Sequence, residues 1–294
     1  MTRSFYQRLG TAGAAATLFA LVVRLLLRDR VPYLAALVYG APPILLAGGA
    51  LACAAAWALA RRRRLALAAL AAAFACGAWQ AGVSRFSRPS TPGELRLLLW
   101  NVEHGLAGWD RVAAEIAARD ADVVALVEAD GGAAQAPPGW AWQWIDRGLA
   151  LGVKGRILSA DIVPLGDSSR AAVVRLEVRD RPLTAILVDI GANPLRPRGL
   201  AFGPLDDLRR RVRPDLVLGD FNTPRDSVHF DAWRGELTHA FEAAGSGWDL
   251  TWPAAIPVLS IDHVWCAPSL VPTSARHVGS ATSDHRAVVV DFKE

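Results

Sequence analysis

The sequence predicts an α+β protein in two parts, an all-α transmembrane bundle followed by a layered scaffold of strands and helices. Three observations predict it. The composition of the 294 residues changes sharply near Arg88, from mostly Ala, Leu, Val and Gly to globular frequencies of charge and turn residues. Before that point lie apolar stretches of membrane-spanning length. Beyond it, short apolar runs alternate with helical patterns, and the polar residues suited to chemistry fall where those runs end.

Crossing a hydrocarbon core as a helix takes roughly 20 apolar residues. Thr11 to Leu27, Pro43 to Ala60 and Leu65 to Val83 approach that length, which predicts about three spans, with Arg24 inside the first having to snorkel to an interface. Tyr33 to Ala41 is too short to cross and reads as interfacial or re-entrant. Arg61 to Arg64, between the second and third spans, is the strongest orientation signal. It places that loop in the cytoplasm, so the chain after the third span is expected on the far side of a cytoplasmic membrane, held by a multi-pass anchor. Three hydrophobic stretches do not fit a single cleaved signal peptide. The expected organisation is an anchor over 1–83, a linker over 84–93 marked by Pro89, Ser90, Thr91 and Pro92, and a catalytic domain over 94–294.

The net charge of +4 belongs to the anchor. Residues 1–88 hold 11 of the 32 basic residues and a single acid, Asp29, leaving 21 basic against 27 acidic residues beyond. An acidic domain lacks the basic footprint of phosphate-backbone binding, so nucleic acid is not the favoured partner. Cys53 and Cys76 fall in apolar segments and Cys266 stands alone beyond them, so disulfides carry none of the argument.

In the second part, Leu95 to Trp100 and Asp122 to Val127 read as strands around a helix at Trp109 to Arg119. Ala171 to Val178 and Leu183 to Val188 form a hairpin across Arg179-Asp180-Arg181-Pro182. Leu205 to Val212 reads as a helix, and Asp215 to Leu218 and Ala287 to Phe292 as strands. Trp140, Trp142 and Trp144 alternate as strand neighbours on one face, with sheet packing the first reading and a membrane-facing aromatic lip the second. Asn101, Glu128, Asp189, Asp220, Asn222, Asp262, Asp284 and His285 all sit at strand ends, where a layered scaffold gathers a site.

The segments LRLLLWNVEHG (95–105), DVVALVEAD (122–130), DLVLGDFNTP (215–224), SIDHVW (260–265) and SATSDHRAVVVDF (280–292) together resemble the metal-dependent endonuclease/exonuclease/phosphatase superfamily, that of deoxyribonuclease I. The resemblance implies a four-layered α/β/β/α sandwich and a hydrolase of phosphoric esters using Mg²⁺ or Mn²⁺, which the oxygen-rich residue set suits better than zinc. It implies Glu128, Asn101 and Asp284 at the metal, and Asp220, Asn222, Asp262 and His285 in catalysis, with Asp262 fixing the His285 tautomer. Asn101, Asp189, Asn193 and Arg196 are the candidate substrate contacts, Arg196 and its neighbour Arg198 being open between a solvated loop and a phosphate clamp.

One departure stands out: the family commonly places a second histidine where this chain reads Val188-Asp189-Ile190. Glu103 and His104 read as loop solvation and His263 as a structural strand residue. His229, His239 and His277 read as surface or helix-packing residues. Arg209, Arg210, Arg211 and Arg213 have the spacing of an outer helix. The expected function is a monomeric, membrane-anchored phosphoesterase acting outside the cytoplasm on a phosphodiester or phosphomonoester, with lipid headgroups among the candidates. The alternatives are a catalytically weakened member that binds a ligand or partner, and an extracytoplasmic nuclease.

Overall fold

In the second part of the chain, alternate residues of each strand feed different cores. The computed structural model describes residues 1–86, 91–130, 139–146, 148–166 and 168–293, so Pro89 and Ser90 of the expected linker lie outside the described residues. Contacts divide the chain into two units, Met1–Ser84 with Pro194–Arg196, and Arg85–Asn193 with Pro197–Glu294.

The first unit is helical: α1 (Arg3–Val22, continued by a π-turn over Val23–Leu27), α2 (Pro32–Gly40), α3 (Pro43–Leu59) and α4 (Arg63–Val83). Arg3–Leu27 and Arg63–Val83 are long and apolar enough to cross a membrane, and α2 with α3, bent by 67°, make a third if taken as one broken span. Small residues let α1 and α3 approach closely, since a Cβ on Gly10 would stand 2.7 Å from Trp57 and one on Gly13 2.9 Å from Cys53 Sγ. Leu18, Phe19, Leu67 and Phe74 are exposed. Arg24 does not snorkel. It is buried, and its Nη1 donates to the carbonyls of Val38 (2.7 Å) and Ala41 (3.4 Å) at the end of α2, where helix carbonyls lack intrahelical partners.

The second unit has two six-stranded sheets. One runs β11 (Val271–Val278), β12 (Ala287–Lys293), β1 (Leu95–Asn101), β2 (Val123–Val127), β4 (Leu149–Val153), β3 (Ala141–Asp146). The other runs β5 (Gly155–Gly166), β6 (Ser169–Val178), β7 (Arg181–Asp189), β8 (Leu216–Asp220), β10 (Asp262–Cys266), β9 (Thr238–His239). Leu95, Leu97 and Leu99 face inward and pack with Leu187, Leu218 and Val264 of the other sheet, while Leu98 and Trp100 face outward against Val112 and Ile116 of α5 (Trp109–Arg119). On the opposite outer face, Phe202, Leu205 and Leu208 of α6 (Gly199–Val212) join Phe221, Phe230, Trp233 and Trp265. The result is the α/β/β/α sandwich.

Trp140, Trp142 and Trp144 all pack into the outer cluster with Trp109, and Gly152 is required beneath Trp142, where a Cβ would come within 1.9 Å of the ring. The expected hairpin is β6–β7, turned by Arg179 and Asp180 at φ of 51° and 63°. β1 runs parallel to β2 and β7 parallel to β8, while β10 and β12 run antiparallel to β8 and β1. The C-terminal ends of the first four and the N-terminal ends of β10 and β12 therefore meet along one rim.

Candidate active site

Sheet register alone assembles much of the rim. Arg170 pairs with Asp189, Asp189 with Asp220, and Asp220 with Asp262, giving one row across four strands. Side chains at paired positions project to the same face. His285, just before β12, completes the row: its Nδ1 lies 2.9 Å from Asp262 Oδ2, and its Nε2 lies 3.8 Å from Asp220 Oδ2 and 3.9 Å from Asp284 Oδ1. The ring is held from behind by Ser283, whose hydroxyl accepts from the His285 amide and donates to the Asn101 carbonyl at 2.7 Å.

Asp220 is the most heavily braced group. Its Oδ2 accepts from Asn101 Nδ2 (3.1 Å) and Asn222 Nδ2 (3.2 Å), and its Oδ1 accepts from the Asn222 amide (2.8 Å). Asn222 stands at φ 45°, a left-handed conformation asparagine tolerates, and also donates to the Ile190 carbonyl. Burial, then the adjacent charge of Asp262, pushes Asp220 up to about 8. Burial opposes the charged form of His285, but the charge of Asp262 and its hydrogen bond outweigh it and raise the imidazole to about 10. Burial would raise Asp262, and the His285 charge and hydrogen bond hold it below the ordinary value instead. The pair is an ionised carboxylate on an imidazolium.

The other flank is paired differently. Glu128 follows β2 at φ 52°, with its Oε2 3.2 Å from His104 Nε2, and His104 Nδ1 lies 2.7 Å from Asp130 Oδ2. Asp189 Oδ2 accepts from Arg170 Nε (3.1 Å) and Nη2 (3.0 Å). Its carboxyl is raised, first by burial, against which the Arg170 charge works, and further by the charge of Glu128. Asp284 accepts from the Trp252 indole N–H at 2.9 Å, and its amide donates to Glu103 Oε2 at 3.1 Å.

The structure thus brings Asn101, Asp220, Asn222, Asp262, Asp284 and His285 together. Glu128 and Asp189 stand on neighbouring strand ends, with Asp189 in register beside Asp220. Asn193 and Arg196 are exposed on the loop after β7, Arg196 grouping with the helical unit.

The solvation expected for two residues is corrected. Glu103 holds the Asp284 amide, and His104, although half exposed, is bound between two carboxylates. Their backbone φ values of 48° and 55° come from a turn that nothing in local composition announces. Of the two readings for His239, the helix-packing one holds: it is buried, caps the Ala240–Ala244 helix by accepting from the Glu242 amide, and meets His263 Nδ1 at 3.2 Å. His263 is structural, as expected, with Nε2 on the Thr223 carbonyl. Ser283 belongs to the Ser-Asp-His motif that carries the resemblance, whereas Arg170 and Trp252 give no signal in the sequence, because each acts through a partner far along the chain.

A sandwich carrying an Asp-Asn pair on one strand end and an Asp-His pair on two others defines a class of phosphoester-processing proteins. A model of the Endonuclease/Exonuclease/phosphatase family matches residues 98–285, and the chain belongs to that family. Among solved structures, an endonuclease/exonuclease/phosphatase family protein from Bacteroides thetaiotaomicron is similar at 16% identity, covering 69% of this chain and 98% of its own, with a TM-score of 0.58. A mannosyl-6-phosphatase from the same organism matches at 15% identity over 68% and 99%, also with a TM-score of 0.58. D. rerio TDP2 complexed with a single-strand DNA product matches at 14% over 68% and 99%, with a TM-score of 0.56. No curated protein sequence matches the chain.

Proposed function

We propose that the protein is a membrane-anchored, divalent-cation-dependent phosphoric ester hydrolase whose catalytic unit lies outside the cytoplasm. The observation that carries the reading is the buried Asp220–Asp262–His285 cluster, whose ligand atoms lie within 4.8 Å of one another. It is joined through Asp220 to Asn101 and Asn222.

The residues suit a hard cation. The rim concentrates Glu103, Glu128, Asp189, Asp220, Asp262 and Asp284, all oxygen donors, and Asp262 Oδ1 is buried with no hydrogen-bond partner among the described residues. Glu128, Asn101 and Asp284 would hold Mg²⁺ or Mn²⁺. Bound there, the cation supplies charge neutralisation at the phosphoryl oxygens.

The chain's own groups do the rest. His285, positively charged on Asp262, donates Nε2–H to a phosphoryl oxygen and stabilises the charge that develops there. Asp220, oriented by two amides and raised to about 8, accepts a proton from the attacking water in its ionised form, which is favoured as pH rises toward 8. Asn222 supports it and steers the phosphoryl group. Asp189 stands where an imidazole is common in the family, and its ion pair with Arg170 keeps that edge of the row from adding a bare negative charge against the substrate.

Phosphomonoesters or small phosphodiesters, lipid headgroups included, fit the acidic second unit better than a nucleic-acid backbone. The mannosyl-6-phosphatase and TDP2 neighbours represent those two kinds of substrate. The anchor reading rests on the two or three helices of spanning length, and the orientation on Arg61 to Arg64. Assay of the purified protein with and without Mg²⁺ against a sugar phosphate, a lysophospholipid and plasmid DNA tests the reading. Cation-dependent release of phosphate or headgroup supports it, efficient salt-sensitive DNA cleavage alone reverses the substrate order, and no hydrolysis of any kind leaves the weakened ligand-binding reading, which the spent Asp189–Arg170 pair favours.

A further inference from the structure

The segment from Thr251 to Leu259 lies between the motif segments 215–224 and 260–265 and belongs to none of them, yet it is fastened to both sides of His285. Thr251 is fully buried, and its hydroxyl oxygen accepts from the amides of Ile261 (3.1 Å) and Asp262 (3.3 Å). The Thr251 carbonyl accepts from the Arg286 amide at 2.8 Å. Three residues on, the Ala254 amide donates to the Asp284 carbonyl (2.6 Å) and the Ala254 carbonyl accepts from Arg286 Nε (3.0 Å). Between these attachments, Trp252 closes the loop by exchanging backbone hydrogen bonds with Leu259, each 2.9 Å, and turns its indole N–H onto Asp284 Oδ2 at 2.9 Å.

The loop therefore braces the backbone on both sides of His285 and one carboxylate directly. Asp284 needs that contact more than Asp262 does. Asp262 is buried and bound to His285, whereas the Asp284 side chain is 43% exposed, and water competes for its oxygens. The indole N–H occupies Oδ2 and leaves Oδ1 directed toward the row, 3.9 Å from His285 Nε2. A neutral donor suits this task, because it fixes the rotamer without neutralising the carboxylate. An arginine in the same place would cancel the charge that a cation needs.

We infer that Trp252 is a positioning residue for the divalent-cation site, holding Asp284 in the orientation that leaves one oxygen available to the ion. The inference rests on the reading of Asp284 as a cation residue given above. Groups that orient a ligand are worth roughly 10- to 100-fold in metal affinity, and a single neutral hydrogen bond on a half-exposed carboxylate belongs at the lower end.

The test uses the full chain in detergent, with binding of Mn²⁺ read from the EPR signal of the free ion. Trp252→Phe removes the N–H and keeps an aromatic ring. It should raise the Mn²⁺ dissociation constant about tenfold and shift the Mg²⁺ concentration for half-maximal hydrolysis by the same factor, with kcat at saturating cation nearly unchanged. Trp252→His, which retains a ring N–H, should recover part of the affinity and keeps the test usable if the Phe variant folds poorly. In an Asp284→Asn background the Phe substitution should add nothing further. Wild-type binding with an unaltered constant in the Phe variant, or a shift that persists in full in the Asp284→Asn background, overturns the inference while sparing the functional reading. A wild-type protein that binds no Mn²⁺ defeats that reading first, and this inference with it.

Discussion

The two flanks of the site solve the same electrostatic problem in opposite ways. On the Asp262–His285 flank, Asn101, Asp220, Asp262 and His285 are all buried, and the imidazolium is the charge that balances the carboxylates. On the Glu128–Asp189 flank the carboxylates are partnered by His104 and Arg170, and the side chains of His104, Glu128, Asp130 and Arg170 are between 30% and 51% exposed. Substitution is tolerated where water screens a charge and punished where it does not. The Asp262–His285 flank keeps the expected residues; on the other flank Asp189, itself buried, stands where the family commonly has a histidine and is paired across the strands with the partly exposed Arg170.

The comparison is tested most severely at its buried end. His285→Ala or Asp220→Asn should cost about 10³-fold in kcat, the scale of a lost general acid–base group, with folding retained. The measurement is steady-state hydrolysis of a chromogenic phosphodiester in Mg²⁺. A loss below tenfold in both would remove this cluster from the chemistry. Glu128→Gln should act on the cation instead, raising the Mg²⁺ requirement about 100-fold while excess Mg²⁺ restores most of kcat. If saturating Mg²⁺ restores nothing, Glu128 belongs with the buried flank in function despite its exposure.

The same contrast governs what was legible in the sequence. The nearly continuous apolar run from Leu95 to Trp100 marks a buried strand, because its inward and outward faces are both apolar. Strand-end polar residues announced the buried flank, since each lies one step beyond a recognisable apolar run. The compensations were silent. Arg170 and Asp189 meet only through the β6–β7 register, and His104 reaches Glu128 through two successive left-handed residues. The long strand β5, Gly155–Gly166, leaves no mark in the sequence because it is an edge strand with mostly exposed residues and no apolar run. The burial of Arg24 is equally silent, because the carbonyls of Val38 and Ala41 that receive it come near only after the chain folds back.

A third prediction separates stability from catalysis on the buried flank. His263 is held down to about 4 by burial, which its hydrogen bond to the Thr223 carbonyl and the charge of Asp262 only partly offset. Above its ordinary value near 6.5 the ring is neutral in both states, and this part of the stability is present in full. As pH falls from 6.5 toward 4 the unfolded chain takes up a proton that the folded one refuses, so stability is lost by up to about 3 kcal/mol. Urea unfolding at several pH values should show the slope, and His263→Asn should flatten it. An unchanged slope in that variant would mean His263 is as accessible to protons as the other flank.

The smallest effect is expected at the exposed end. Arg170→Met leaves Asp189 without its counter-charge beside Glu128, and a fully buried carboxylate so stranded costs about 3 kcal/mol or more. Two features reduce that here. Arg170 is about one-third exposed, so solvent already screens much of the pair. Burial has also already raised the Asp189 carboxyl, and losing the Arg170 charge raises it further, which favours the protonated form over an unpaired charge. The expected loss is therefore about 1 kcal/mol in urea unfolding, with kcat down by less than about tenfold. A fall in kcat approaching that of His285→Ala, at unchanged stability, would place the Arg170 guanidinium among the groups that touch the phosphoryl oxygens, and the two flanks would then be equal partners in the chemistry.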